Sequence, residues 1–116
     1  MTSEKNLTRQ DIGMIGFEIV AYSGDARSSL LEAIKCAKKG EFDKIDGLVR
    51  DAQENLNIAH AKQTEMLALD AQGKELEIGF IMIHAQDHLM TSILLKDIVY
   101  DLCEIYKRWF LGVNDE

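Results

Sequence analysis

From Ile12 onward, apolar residues return every three or four positions: Ile12, Ile15, Ile19, Tyr22, Ala26, Leu30, Ala33 and Ala37. That is the period of one face of an α-helix. Thr8 followed three residues later by Asp11 has the form of a capping box. Lys38 and Lys39 suit the negative C-terminal end, and Gly40 stands where a left-handed C′ residue belongs. Gly24 sits inside this helix at a cost of about 1 kcal/mol against alanine, and is expected to mark a close helix approach. A second stripe follows at once: Phe42, Ile45, Val49, Ala52, Leu56, Ala59 and Met66. Gln63 takes one turn of it, His60 is a neighbour, and Gly73 ends it. In the third segment Phe80, Ile83, Leu94, Leu95, Ile98, Leu102 and Ile105 share one face. His84, Asp87, His88 and Thr91 fall inside the same arc, and Gln86 does not.

The predicted helices cover about 12–39, 41–72 and 77–109, between a polar arm (1–11) and a tail (110–116). Helices of about 30 residues joined by short turns lie antiparallel, each about 45 Å long. The expected fold is all-α, a three-helix bundle. Its third helix is apolar on both sides in the first half, where Met82, Leu89, Met90 and Ile93 form the back. From Lys96 onward Lys96, Asp97, Glu104 and Lys107 make that back polar. A helix apolar all round wants cover on every side. Self-association about a symmetry axis through this half is the economical solution.

Composition narrows the function. The chain has 116 residues, eight glycines and no proline, which favours a few long helices. A net charge of −7 argues against nucleic acid and anionic membranes as partners. No run of about 18 apolar residues suggests a membrane span. No apolar leader region is visible, so a cytoplasmic location is expected. Cys36 and Cys103 then read as reduced thiols used for packing.

The chemistry concentrates in HAQDHLMT, residues 84–91. His84 and His88 are one helical turn apart, so both rings reach one volume. Three readings follow. The pair with Asp87 has the donor set of a zinc site, although Ala85 stands where HExxH carries glutamate. A histidine on an apolar face is otherwise a packed, hydrogen-bonded residue, the reading expected for His60, which has no acidic helix neighbour. Finally, neutral imidazole is a nucleophile that can take up a phosphoryl group and release it. The chain has no glycine-rich phosphate loop, so such a group would come from another protein rather than from ATP.

HAQDHLMTSILLKDI (84–98) resembles the signature of the lactose/cellobiose-type IIA components of the bacterial phosphoenolpyruvate-dependent sugar phosphotransferase system. GFEIVAYSGDARSSLLEA (Gly16–Ala33), GEFDK (Gly40–Lys44) and AHAKQTEML (Ala59–Leu67) extend the likeness over nearly all of residues 12–108. The resemblance implies a homotrimer of three-helix subunits. It implies that His84 is phosphorylated by phospho-HPr. The phosphate would pass to a cysteine of the IIB component, and the membrane component IIC would be served indirectly. It implies that Asp87 binds a structural Mg2+ shared across the trimer axis. His88 and Gln86 would support the phosphoryl group. Three carboxylates on one axis repel, and need a cation or protons to persist. The rival reading is a helical protein-interaction module without catalysis, since GEFDKIDGLVRDAQENL resembles one helix-turn-helix unit of a TPR-like repeat. No second copy is present to bury its face. A zinc hydrolase ranks third.

Overall fold

The computed structural model describes residues 7–112. Thr8 opens the first helix as expected. Its Oγ1 accepts a hydrogen bond from the Asp11 N–H (3.0 Å), and the Asp11 carboxylate accepts one from the Thr8 N–H (2.9 Å). The helix, α1, spans Arg9–Lys39, three residues ahead of its predicted start. Gly40 ends it in the left-handed conformation (φ 79°). The Gly40 N–H donates to Ala37 O (3.1 Å) and the Glu41 N–H to Cys36 O (2.9 Å), the paired bonds of a Schellman motif. A 3-10 turn at Phe42–Lys44 leads into α2, Ile45–Ala71. Gly73 (φ 84°) repeats the device, its N–H donating to Asp70 O and that of Lys74 to Leu69 O. The last helix, α3, spans Phe80–Phe110. It starts later than the predicted Glu77, because Gly79 takes the extended N-cap conformation ahead of it.

The result is the antiparallel three-helix bundle that the sequence predicts, without strands among the described residues. It is a rod of 66 × 22 × 19 Å. α1 packs along both other helices, whereas α2 and α3 touch each other sparsely. Small residues let α1 and α3 approach. A Cβ on Gly16 would stand 3.2 Å from Met82 Cα. Gly16, not Gly24, is therefore the close-approach glycine: nothing lies within 4 Å of a Cβ on Gly24. Cys36 and Cys103 are free, buried thiols, as expected. Cys103 Sγ lies 3.7 Å from Ala33 O across the α1–α3 seam. Burial, followed by the nearby Cys36, pushes the Cys103 thiol up, which keeps it protonated and unreactive.

Three residues differ from expectation. His60 is exposed on α2 rather than packed. Met82 and Leu89, assigned to the apolar back of α3, are part of the core. The buried side of α3 is Met82, Ala85, Leu89, Ser92, Val99 and Cys103. The arc containing Phe80, Ile83, Leu94, Ile98 and Ile105 faces outward, with Phe80 82% and Leu94 58% exposed. A single helix pattern cannot tell which of two apolar sides its own chain will cover. At the far end the Phe110 ring packs edge-on against Phe42, centroids 5.5 Å apart, while Trp109 is exposed. Residues 1–6 of the predicted arm and 113–116 of the predicted tail lie outside the described residues.

Candidate functional site

The outward seam of α3 carries His84 and Asp87, two of the residues singled out in the sequence. Phe80, His84, Asp87, Thr91, Leu94, Ile98, Asp101 and Ile105 alternate four and three residues apart, the spacing of a coiled-coil seam. All of them are exposed in the single chain. His84 and His88 meet, as their spacing predicts: their ring centroids are 4.6 Å apart at 73°, edge to face. His84 is exposed and His88 half-buried. The structure thus separates the two rings by role of place, one reachable from outside and one behind it.

His88 is a perturbed group. Burial is the first cause holding it below the usual imidazole value; the charges of His84 and Arg27 add to this, and Asp87 opposes them. Above the usual imidazole value the ring is therefore neutral. Its Nδ1 is buried and has no hydrogen-bond partner among the described residues. A buried ring nitrogen normally finds one. Ser23 Oγ, fully buried on the facing side of α1, is in the same condition. One turn further along α3, Ser92 Oγ donates to the Ser23 carbonyl at 3.4 Å.

Asp87 projects beside the histidines from the exposed seam, and no hydrogen bond or ion pair engages its side chain among the described residues. The Thr91 hydroxyl donates to its backbone carbonyl (2.6 Å). No group of three or more potential metal ligands gathers within the chain among the described residues. Neither the zinc reading nor a metal held by one chain finds a ligand set here.

Gln86 turns the other way, toward α2. Its side-chain carbonyl accepts from Gln63 Nε2, and its own amide nitrogen lies 3.7 Å from Met82 Sδ. These residues border a groove between α2 and α3 that Met66, Leu67, Leu76, Ile78 and Ile83 make apolar. The sequence places Gln63 on an apolar stripe without a reason, and Gln86 is that reason. Arg27 was missed altogether. It belongs to a helix 61 residues before His88 in the sequence, and no local pattern links the two.

The three-helix rod thus presents an exposed histidine, backed by a second, half-buried one, on an outward face of its last helix that is otherwise largely apolar. The family profile described as "PTS system, Lactose/Cellobiose specific IIA subunit" matches residues 14–107. The chain belongs to this family, the sugar-specific IIA components of the phosphotransferase system. It is 54% identical over 102 residues to the lactose-specific EIIA component of Lactococcus lactis subsp. lactis, covering 88% of this chain and 97% of that protein. The crystal structure of the cellobiose-specific enzyme IIA of Bacillus anthracis superimposes with a TM-score of 0.83 at 36% identity, covering 90% of this chain and 94% of that one. The IIA(Chitobiose) subunit, solved in complex with HPr for the N,N′-diacetylchitobiose branch of Escherichia coli, gives 0.73 at 29% identity, covering 92% and 98%.

Proposed function

We propose that this IIA component is a phosphohistidine carrier that takes its phosphoryl group from phospho-HPr onto His84. It then delivers the group to a cysteine of the IIB component, and through it serves the membrane component IIC. The observation that carries this reading is the exposed His84 ring lying 4.6 Å from a neutral, half-buried His88. An exposed nucleophile suits a group that must be offered to two proteins in turn. In the first transfer a nitrogen of His84 forms a bond to phosphorus as the N–P bond of the donor breaks. In the second, the IIB thiolate attacks and His84 leaves as neutral imidazole. Such transfers ask for in-line placement and charge stabilisation rather than a deep pocket. His88 stands where it could hydrogen-bond a phosphoryl oxygen, and Gln86 flanks the site from the α2 side. The solved complex of the chitobiose relative with HPr supports the choice of donor.

The working form in this reading is a homotrimer. Its seam is the exposed heptad of α3, and the neighbouring copies supply the shelter that the single chain does not give His84. Asp87 would then meet its two copies on the axis, and Mg2+ would neutralise them, supplying cohesion and no chemistry. HPr and IIB would be met in the cytoplasm in this reading, and no helix among the described residues is long and apolar enough to cross a membrane.

Incubation with phosphoenolpyruvate, the general first enzyme of the system and HPr tests the reading. Acid-labile phosphate should map to His84, and His84→Ala should take up none while keeping its helix content. Full labelling of His84→Ala, or no labelling of the wild type, overturns the assignment.

A further inference from the structure

We propose that the outward face of α1 beside the histidine pair is the surface on which the phospho-donor HPr docks. The inference rests on the carrier reading and adds to it the ground on which the donor lands. A helix on the outside of a bundle normally turns a polar face to water. On α1, Met14, Phe17, Ala21, Gly24, Ser28 and Leu31 return three and four residues apart and form one face without a charge. The chain leaves its large side chains bare: Phe17 is 59%, Met14 56% and Leu31 45% exposed. Gly24, in the middle of the face, lowers helix stability, and no atom of the described residues lies within 4 Å of the place its Cβ would take. A flat centre between large apolar ends is thus kept without serving the packing of the subunit, and it suits a partner that comes and goes.

Consecutive residues fix which way this face points. Ile15 borders a groove with Glu65 and Met66 of α2. One step of about 100° round the helix, Gly16 lies against Met82 of α3. Phe17, a further step round, passes α3 and points to the flank away from α2. On α3 the same steps run from Gln86, which accepts from Gln63 of α2, through the buried Ala85 to the exposed His84. His84 therefore points to the same flank as Phe17, and the α2–α3 groove lies on the other one. The heights agree as well. α1 and α3 run parallel, with Gly16 against Met82 and Ser23 against Ser92. Between these two contacts lie Phe17 and Ala21 on one helix and His84 and His88 on the other. A donor whose phosphohistidine reaches His84 from that flank rests on this face of α1. The solved complex of the chitobiose relative points to HPr as the occupant.

The experiment measures transfer from phospho-HPr at varied donor concentration for wild type, Gly24→Leu and Phe17→Ser. Helix content is followed by circular dichroism and assembly by sedimentation. Gly24→Leu adds bulk where the subunit has open space, and Phe17→Ser removes an exposed ring, so both should keep helix content and assembly. Each should raise KM for phospho-HPr by about tenfold at little cost in kcat, the mark of lost binding shared by ground and transition state. The equilibrium division of phosphate between the free proteins should stay at the wild-type value, because a docking surface does not hold the cargo. A wild-type KM in both variants, or a shifted division, overturns the proposal and leaves the carrier reading standing. Dissociation of the assembly in Gly24→Leu assigns the face to a second copy of the chain and overturns it equally. Failure of the wild type to label overturns both.

Discussion

The half-buried ring of His88 sets a pH dependence. Its pKa lies below the usual imidazole value, chiefly through burial. The unfolded chain therefore binds a proton on this residue at a higher pH than the native chain does. Stability should fall as pH drops below about 6.5 and level off below the native pKa. His88→Gln should flatten this slope, measured by urea unfolding at pH 7.5 and pH 5. An identical slope in the variant would show that the ring titrates as it does in the unfolded chain. The octapeptide could be read from sequence at this scale because its partners are three and four residues apart. Its electrostatic setting could not, since Ser23 and Arg27 come from a helix distant in the chain.

At the scale of elements the agreement is closer. Capping chemistry is local, so Thr8, Gly40 and Gly73 marked their helix ends correctly, and the boundaries moved by no more than a 3-10 turn. Helix-to-helix approach is not local, and there the sequence misled: both Gly16 and Gly24 are interior glycines, and nothing in the spacing distinguishes them. Opposite responses to substitution should follow. Gly16→Val places atoms against the Met82 backbone and should cost about 1–3 kcal/mol, as overpacking does. Gly24→Ala meets open space and should gain about 0.5–1 kcal/mol from a better helix former. Denaturant unfolding of the two variants measures both. A stabilised Gly16→Val would mean that α1 and α3 stand further apart than described.

For the whole molecule, the apolar surplus of α3 was visible in the sequence as a helix with two greasy sides. Which side the chain covers itself depends on α1, whose Gly16 and Ser23 meet Met82 and Ser92 closely. The other side is left for copies of the chain in the proposed trimer. Leu94→Asp combined with Ile98→Asp should yield monomers by analytical ultracentrifugation with helix content retained, because both side chains are exposed in the single subunit. Wild-type protein in excess chelator should also show weakened association if Asp87 holds Mg2+. Trimers unaffected by both treatments would place the interface elsewhere.

Because α1 carries nearly all the contacts and α2 barely meets α3, the order in which the molecule comes together is constrained. A hairpin of α1 and α2 can close as soon as residue 71 has left the ribosome, but it leaves bare the strip of α1 that only the final helix fills. Among the described residues α3 is made after both and docks onto that strip. The histidine pair, carried on α3, is thus made last, and a product truncated before it would display a sticky groove and lack both rings.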